Sequence, residues 1–412
     1  MASMIFLDDA YIKEFSTKIK HIEKYKNNEY AIVLKETIFH PQSGGQICDT
    51  GVIESDNTVG TVVDVHEKDG EIFHVVKMKR GLFHKGDTVK CKLNWQRRYD
   101  VMRAHTGEHI LARAIMKNVP NADILKVHIG QQKGDLVVKS QEEISITQLT
   151  EIEILSNEIV YAKLPVTIRK FNNLAEAKDY YKDRLREHVP DPNKPLRIIE
   201  IGEYDVAACV GTHVKNTGEI GFIKITGIEG SPKEYRIGFV VADLAIKTAI
   251  KMANTSLLLA RKHTTSVEEL PRKIENLAEW AKDLNRKISS ISKNFVSIMM
   301  NQFVTDNKIS INNKIIFYGV FNDIDMKYII PELKMHAKRN EFGVIGVVRK
   351  TANIIVALPP ELESLGSELI AEASKIIEGG GSKKDNLIII GGRNPKRVTQ
   401  CIEAIIRMIK ES

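Results

Sequence analysis

Cysteine is scarce in this chain of 412 residues. Its four cysteines, Cys48, Cys91, Cys209 and Cys401, are scattered along the sequence without the regular spacing of a disulfide framework. This pattern excludes a small secreted domain that disulfides hold together. It indicates a reducing compartment, in which single thiols are available to react or to bind a metal.

Long apolar runs are also lacking. The longest, such as NLIIIGG around Leu387, fall far short of the roughly 18 residues that a membrane-spanning helix needs. The opening sequence MASMIFLDDA has acidic residues at Asp8 and Asp9, which is not the pattern of a secretory signal. We therefore expect a cytoplasmic protein that does not enter a membrane.

Positive charge is in excess, with a formal net charge of +7. Basic and acidic residues balance up to residue 240, so the whole excess lies in the segment 241–412. An excess confined to one segment is typical of a segment that binds an anionic partner, because neutralised phosphates release counterions. Ordinary solubilising lysines would give the same excess, so charge alone leaves both interpretations open.

The pattern of apolar residues predicts an α+β chain of several domains. Up to residue 93, runs rich in Val, Ile and Phe, such as YAIVLKETIFH and GEIFHVVKM, alternate with Gly, Asp and Asn, which is typical of strands joined by turns. We predict a small β-barrel or sandwich over 1–93 and a mixed α+β core over 94–240. A long amphipathic helix that begins near Trp95 opens this core.

Apolar residues follow a heptad pattern between Ile274 and Ile298. They recur at alternating spacings of three and four residues, which is the period of a left-handed coiled coil or a long helix hairpin. The preceding SVEE sequence fits a capping box, and Pro271 falls in the first turn, where it is tolerated. We therefore assign 241–300 to a helical or coiled-coil linker, through which we expect two copies of the chain to form a homodimer.

The last segment alternates strand-like and helix-like stretches. NKIIFYGVF, FGVIGVVRK, NIIVALP and NLIIIGG are strand-like and helical patterns separate them, so 301–412 is predicted to be a small α/β domain. The sequence EGGGSKKDN, from Glu378 to Asn386, is expected to form a glycine-rich loop that presents Lys383 and Lys384. These lysines make the domain a candidate for binding nucleic acid.

Two short motifs point to a metal site. RAHTGEHIL places His105 and His109 four residues apart, and on a helix such residues lie on the same face. AACVGTHV places Cys209 and His213 at the same spacing. One thiolate and three imidazoles form a ligand set that suits Zn²⁺. We therefore predict one Zn²⁺ per chain.

A competing motif shares the first pair. HTGEH also matches the H-x-x-E-H signature of a family of zinc metalloproteases, in which Glu108 would serve as general base. A match of five residues is unspecific, and this interpretation leaves Cys209 and His213 without a role. A metalloprotease is therefore the weaker alternative.

A third element lies upstream, in TIFHPQSGGQICDTG from Thr37 to Gly51. Its glycine pair, Gly44 and Gly45, would let the backbone approach a ligand closely, and Gln46 and Asp49 add polar groups nearby. A hairpin turn would explain the glycines equally well. It would not explain why polar groups crowd a strand edge that is otherwise hydrophobic.

These three motifs together resemble a known family. TIFHPQSGGQICDTG, NWQRRYDVMRAHTGEHIL and CVGTH follow the order seen in the editing domain of alanyl-tRNA synthetases and in the free-standing AlaX proteins. His40 stands where the family usually has Tyr, Ser43 replaces the first of three glycines, and Val210 replaces a glycine between two ligands. The resemblance continues through the heptads into GGGSKKDN and GGRNP. We expect neither an aminoacylation core nor an ATP site here, since EGGGSKKDN lacks the spacing of an ATP-binding P-loop.

The resemblance implies a trans-editing hydrolase that is independent of ATP. Its substrate would be mischarged tRNA for alanine, chiefly seryl-tRNA, with glycyl-tRNA as a further candidate. A synthetase pocket rejects an added hydroxyl only about a hundredfold, whereas a second site that hydrogen-bonds this hydroxyl discriminates strongly. Thr37 occupies the position of the serine-sensing Thr of the family, although a β-branched strand residue would also fit there. Gln46 is the second candidate for the catalytic pocket.

The same resemblance suggests where tRNA binds. Arg97, Arg98 and Arg103 flank the first ligand pair and are candidates to meet the terminal phosphates, although a solvated helix face would look the same. The C-terminal domain, with Lys383 and Lys384, is expected to bind the body of the tRNA and to dimerise. A tRNA-binding module that has structural zinc and no hydrolytic activity is the principal alternative.

The role of the metal stays open at this point. Four protein ligands close a tetrahedral site, which is usually structural, whereas catalytic zinc keeps a position for water. Either one ligand stands off, or the ion expands its coordination, or the zinc only shapes the pocket.

Overall fold

The structure is a computed structural model that describes residues 3–186, 191–311 and 314–412. The chain folds into two compact units, Met1–Lys262 and His263–Ser412. No helix within these described ranges is long and apolar enough to cross a membrane. The finer division into four segments, with boundaries near residues 93, 240 and 300, stays a prediction.

A six-stranded barrel lies at the beginning of the first unit. The first eight strands are β1 Ser3–Met4, β2 Glu14–Lys26, β3 Glu29–Leu34, β4 Glu36–Thr37, β5 Gly51–Ser55, β6 Thr58–Lys68, β7 Glu71–Arg80 and β8 Thr88–Leu93. The barrel closes in the order β2, β3, β7, β6, β5, β8. Alternating side chains such as Ile19, Val62 and Val76 fill its interior, as the period of two requires. The predicted β-barrel is confirmed.

Two four-stranded sheets and four helices form the rest of the first unit. The strands are β9 Asp123–Ile129, β10 Lys133–Lys139, β11 Val166–Phe171, β12 Leu185–Arg186, β13 Leu196–Ile201, β14 Asp205–Ala208, β15 Ile223–Ser231 and β16 Glu234–Val241. The helices are α1 Trp95–Asn118, α2 Ile146–Tyr161, α3 Leu174–Tyr181 and α4 Ala242–Lys262. One sheet has the order β15, β16, β10, β9, and the other has the order β11, β13, β14, β12.

Helix α1 is the central element of this region. It begins where the Asn94 side chain accepts a hydrogen bond from the backbone N–H of Arg97, which satisfies one of the free donors of the first turn. The helix packs against α2, β9, β10 and β14, so its middle is buried on nearly all sides. The i, i+4 pair at His105 and His109 therefore lies inside the unit.

The second unit contains a six-stranded sheet and four helices. Its strands are β17 Lys308–Ile311, β18 Lys314–Asn322, β19 Glu341–Val348, β20 Ala352–Ala357, β21 Gly379–Lys384 and β22 Leu387–Gly392. Its helices are α5 Leu270–Asn307, α6 Met326–Ala337, α7 Gly366–Ile377 and α8 Val398–Glu411. The sheet order is β17, β18, β19, β20, β22, β21, and within the described part of this sheet only the β18–β19 pair is parallel.

Two features of this unit bear on the predictions from sequence. The heptad residues from Ile274 to Ile298 lie on the single helix α5, and the large ones are exposed in this unit. The glycine-rich segment was expected to be a loop, but its residues form the edge strand β21. The correction has a physical reason: Gly379 to Lys384 pair with β22, whose apolar residues need a neighbouring strand to satisfy their backbone groups.

Candidate metal centre

The structure brings the four predicted ligands together. His105 and His109 come from consecutive turns of α1, and Cys209 and His213 come from the loop that follows β14. One ligand atom from each of the four residues lies within 4.8 Å of the others. The three histidines are buried and Cys209 is nearly so, which makes this a closed interior cluster.

The spacing of these atoms fits a tetrahedral metal site. The sulfur of Cys209 lies 3.4 Å from Nε2 of His105 and 3.3 Å from Nε2 of His213. In a zinc site with Zn–S and Zn–N bonds of ordinary length, tetrahedral angles separate neighbouring S and N ligands by about 3.5 Å. The donor set and these two distances therefore fit Zn²⁺.

Each imidazole has a polar partner that fixes its other nitrogen. Nδ1 of His105 lies 2.7 Å from Gln46 Oε1. Nδ1 of His109 lies 3.3 Å from Asp205 Oδ2, and Nδ1 of His213 lies 3.2 Å from Thr106 Oγ1. When Nδ1–H donates to such an oxygen, Nε2 carries the free lone pair that a metal needs. For His105 and His213 these partners therefore favour the tautomer that binds a metal through Nε2, whereas Nδ1 of His109 also lies 3.1 Å from a guanidinium nitrogen of Arg186.

The cysteine is prepared as a thiolate. Burial raises the pKa of the Cys209 thiol, but the imidazoles of His105 and His213 outweigh burial and hold this pKa well below its usual range. The backbone N–H of Gly211 also donates to the sulfur, at 3.3 Å. Since the thiolate is the form that binds metal, these contacts favour the ligand state.

A buried ion pair lies behind His109. Asp205 Oδ2 accepts a hydrogen bond from Arg186 at 2.9 Å as well as from His109. Burial acts to lower the pKa of His109, but its hydrogen bonds to Asp205 and Cys209 raise it to about 10. Arg186 balances the carboxylate, so the negative charge of Asp205 does not stand alone in the interior.

Hydrogen bonds from Arg197 and His40 fix the loop that carries Cys209 and His213. Arg197 donates to the carbonyl oxygens of Cys209, at 2.8 Å, and of Gly211, at 2.9 Å. A Cβ at Gly211 would lie 2.1 Å from Cε1 of His105, so this position requires glycine. His40, which replaces the usual Tyr, lies with Nε2 3.3 Å from the carbonyl oxygen of Val210 and donates to it.

Gln46 reaches the cluster from the glycine-rich turn. Its side chain is fully buried, and Oε1 accepts from both His105 and the backbone N–H of Thr212 while Nε2 donates to Thr212 Oγ1. Gly45 has a φ of 80° and lies so close to Val127 that no side chain would fit. Gln46 is thus a direct partner of a predicted ligand, with one N–H left for a further contact.

Thr37 lies in a different hydrogen-bond group. Its Oγ1 is 2.8 Å from Nε2 of His74 and accepts the backbone N–H of Phe39 at 3.1 Å. Nδ1 of His74 donates to the carbonyl oxygen of Ile32 at 2.9 Å, so Nε2 must accept the hydroxyl hydrogen of Thr37. Burial lowers the pKa of His74 to about 4, which keeps this ring neutral. None of these described contacts joins Thr37 to the metal cluster.

The three arginines near the first ligand pair differ in their contacts. Arg98 was expected to be a candidate phosphate contact, but it is fully buried, forms an ion pair with Asp49, and donates to two backbone carbonyls. This burial corrects the expectation, because its charge is already neutralised inside the fold. Arg97 donates from two nitrogens to the carbonyl oxygen of Cys48, and Arg103 lies over the ring of Tyr99.

The lysines of the glycine-rich segment lie on the exposed edge strand β21. Lys383 donates to the carbonyl oxygen of Glu363 at 2.6 Å and forms an ion pair with its carboxylate. Lys384 is exposed. Lys384 is therefore the freer of the two predicted contacts.

Sequence reasoning missed the residues that orient the ligands. Thr106 stands inside the HTGEH motif and Asp205 stands four residues before Cys209, yet neither spacing indicates which ring each residue would meet. Arg186 and Arg197 were missed because ordinary basic residues carry no sign of burial in the sequence. Only the contacts of the folded chain identify them.

Comparisons with known proteins match two segments that hold the glycine-rich turn and the Cys209–His213 pair. Residues 7–97 match the family "tRNA synthetases class II (A)", and residues 196–238 match the "Threonyl and Alanyl tRNA synthetase second additional domain". The alanyl-tRNA editing protein AlaX-L of Pyrococcus horikoshii is 29% identical over 94% of this chain and 94% of its own length. The chain is a relative of AlaX-L.

Alanine–tRNA ligases are similar over part of their length. The ligase of Methanopyrus kandleri is 28% identical over 96% of this chain, and that of Methanococcus maripaludis is 30% identical over 97%. The chain spans 43% and 42% of these two ligases. A solved C-Ala domain from Aquifex aeolicus alanyl-tRNA synthetase is 19% identical, with a TM-score of 0.23, and the match covers 26% of this chain and 99% of that domain.

Proposed function

We propose that this relative of AlaX-L hydrolyses the aminoacyl ester of mischarged tRNA for alanine, chiefly seryl-tRNA, and acts in trans. The observation that carries the proposal is the contact between Gln46 and His105, which joins the glycine-rich turn to the four-residue cluster. The similarity to AlaX-L over 94% of both chains supports the same function.

The cluster defines what a bound metal would contribute. His105, His109, Cys209 and His213 would hold Zn²⁺, which would supply Lewis acidity or fix the shape of the pocket. Protein side chains would orient the ligands and contact the substrate. Gln46 orients His105 and keeps one N–H that could donate to a carbonyl oxygen of the substrate.

Thr37 would distinguish serine from alanine. Its hydroxyl hydrogen is committed to His74 and one lone pair is committed to Phe39, so a single lone pair remains. That lone pair can accept the hydroxyl hydrogen of a seryl group. The methyl group of alanine is not a hydrogen-bond donor, so the buried acceptor would be left unpaired. Alanyl-tRNA would therefore not be hydrolysed efficiently.

Deacylation of purified aminoacyl-tRNA tests the proposal. Seryl-tRNA for alanine should lose its amino acid rapidly, while correctly charged alanyl-tRNA should survive, and glycyl-tRNA serves as the third substrate. His213→Ala should abolish the activity, because a ligand is lost. The matched control His128→Ala removes a half-exposed histidine that pairs with Asp135, and it should leave activity intact.

The alternatives give different results in the same assay. Binding of tRNA with no hydrolysis of any ester would indicate a binding module with structural zinc. Cleavage of peptides would support the metalloprotease interpretation, for which Glu108 is buried and lies 3.9 Å from Nε2 of His109. Neither result is expected, since all four cluster residues, including Cys209 and His213, have roles in the editing proposal.

The second unit would bind the body of the tRNA and form the homodimer. The heptad residues of α5 are exposed, and an apolar stripe with a period of 3.5 residues is suited to pair with another helix. This unit holds 22 basic and 18 acidic residues, and the net positive charge suits a polyanion. Lys384 on β21 is a candidate contact in this unit.

A further inference from the structure

Three aromatic rings form a cluster at the start of α1, and we call them the aromatic platform: Tyr11, Trp95 and Tyr99. Trp95 stacks on Tyr99 with ring centroids 5.5 Å apart and an angle of 19° between the planes. The ring of Tyr11 lies 5.6 Å from Trp95 and 6.4 Å from Tyr99. All three rings are half-buried, so part of the platform meets solvent.

A cation lies over each ring of the platform. The Lys13 ammonium is 4.6 Å from the centroid of Trp95, the Arg103 guanidinium is 4.4 Å from Tyr99, and the Lys215 ammonium is 4.5 Å from Tyr11. Among the described residues no carboxylate forms an ion pair with these three side chains, and Nε of Arg103 is buried without a hydrogen-bond partner. The cations therefore retain their capacity to bind an anion.

One carboxylate holds the platform in place. Glu219 Oε2 accepts the hydroxyls of Tyr11 at 2.7 Å and of Tyr99 at 2.8 Å. Its other oxygen accepts the backbone N–H groups of Lys215 and Asn216. With its lone pairs engaged by these donors, Glu219 fixes the two tyrosine rings, so the platform is ordered before any ligand arrives.

The platform lies beside the metal cluster. Arg103 precedes the ligand His105 by two residues, and Lys215 follows the ligand His213 by two. Along α1 the rise of about 1.5 Å per residue puts Tyr99 roughly 9 Å and Trp95 roughly 15 Å from His105. A strand whose last nucleotide entered the cluster would lead its preceding nucleotides past these rings.

We propose that the aromatic platform, with Lys13, Arg103 and Lys215, binds the unpaired nucleotides that precede the esterified nucleotide of the tRNA. A base would stack on Trp95 and displace the exposed Lys13 side chain, while the cations would meet the phosphates. Aromatic rings alternating with cations are the arrangement that binds single-stranded RNA. This proposal rests on the proposed function for the identity of the RNA.

Fluorescence of Trp95 tests binding without requiring catalysis. The chain has two tryptophans, so Trp280→Phe leaves Trp95 as the only reporter. A short single-stranded RNA with the sequence of the tRNA 3′ end should quench this fluorescence, whereas a blunt RNA duplex should not. Unchanged fluorescence at saturating RNA would overturn the platform. Quenching together with absence of ester hydrolysis would overturn only the proposed function.

Substitutions test the two contributions separately. Trp95→Leu should weaken binding of the single strand and raise the KM for seryl-tRNA about tenfold or more, the loss of one base stack, while Trp95→Phe should restore most of the binding. Hydrolysis of a seryl-adenosine ester, which lacks the preceding nucleotides, should stay the same in both variants. An equal loss with both substrates would indicate a merely structural role for Trp95 and would refute the proposal.

Charge reversal at the exposed Lys13 tests the phosphate contact. Lys13→Glu should weaken binding and reduce the slope of log affinity against log salt by about 0.7, the value for one phosphate contact on a single strand. The matched control is Lys79→Glu, an exposed lysine of β7, which should leave the slope unchanged. Equal slopes for both variants would show that Lys13 does not contact a phosphate.

Discussion

Replacing Gln46 with leucine should weaken the metal centre without touching a ligand. The two side chains have similar volume, but leucine can make none of the hydrogen bonds of Gln46. In the structure Gln46 accepts from His105 at 2.7 Å and from the backbone N–H of Thr212 at 3.0 Å, and it donates to Thr212 Oγ1 at 3.0 Å. Gln46→Leu therefore removes the group that fixes the tautomer of His105.

The size of the effect follows from these contacts. Loss of a partner that orients a ligand typically lowers metal affinity by 10- to 100-fold, which is about 1.4 to 2.8 kcal/mol. Two buried donors, on His105 and Thr212, would also lose their acceptor. Each unpaired donor costs about 1 to 3 kcal/mol, so we expect the free energy of unfolding to fall by about 2 to 6 kcal/mol.

Competition with a chromophoric chelator measures the zinc affinity, and urea unfolding measures the stability in parallel. Gln46→Glu is the rescue variant, because a carboxylate still accepts from His105 and Thr212 and should retain zinc. Gln96→Leu is the matched control. It makes the same change at an exposed position of α1, where the amide donates to Asp100 at 3.0 Å, and should leave zinc affinity unchanged.

Two outcomes would refute the reasoning. If Gln46→Leu binds zinc as tightly as the native chain, then Gln46 does not orient His105 in the metal-bound state. If Gln46→Glu loses as much affinity as Gln46→Leu, the acceptor is not what matters. The activity of Gln46→Leu at saturating zinc separates the two roles of this residue: full recovery would assign it to positioning alone, and a persistently low kcat would assign its remaining N–H to the reaction.

Three further predictions follow from the site and the fold. Cys209→Ala should lose bound zinc in metal analysis, whereas Cys401→Ala, at a buried cysteine of the other unit, should retain it; full retention by Cys209→Ala would contradict the ligand assignment. Thr37→Val should lower the ratio of seryl to alanyl ester hydrolysis, because the preference for the seryl transition state should lose about 1–3 kcal/mol, the contribution of one hydrogen bond to a buried partner. An unchanged ratio would show that another residue senses serine. A chain that ends after residue 262 should be monomeric in sedimentation and should still hydrolyse a seryl-adenosine ester. Its binding of tRNA should depend less steeply on salt than that of the full chain. A dimeric truncated chain would refute pairing through α5.

Local patterns in the sequence predicted much of the fold. Alternation of apolar residues with turn residues between them predicted the barrel, because a strand that faces a core on one side must repeat with a period of two. The helical period predicted a long helix that begins near Trp95, and the structure has it as α1, Trp95–Asn118. Such signals depend only on neighbours along the chain, and for that reason they can be read before the tertiary structure is known.

The candidate ligands were predictable for the same reason, but their convergence was not. Spacing of four residues brings His105 near His109 on one helix whatever the rest of the chain does. Cys209 lies about a hundred residues away in sequence, and only the packing of α1 against β14 brings its sulfur to 3.4 Å from His105. The twin motifs indicated a shared site through the chemistry of zinc, and the tertiary contacts brought their ligands together.

Burial and strand pairing were decided by the tertiary structure alone. Arg97, Arg98 and Arg103 are alike in sequence, yet Arg98 is buried against Asp49 while Arg103 lies over an aromatic ring. The glycines of β21 carry no strand signal, and they pair with β22 because that apolar strand leaves its backbone groups to be satisfied. The charge of a side chain and the hydrogen-bonding capacity of a backbone are fixed by sequence, but the partners that satisfy them come from residues far away along the chain.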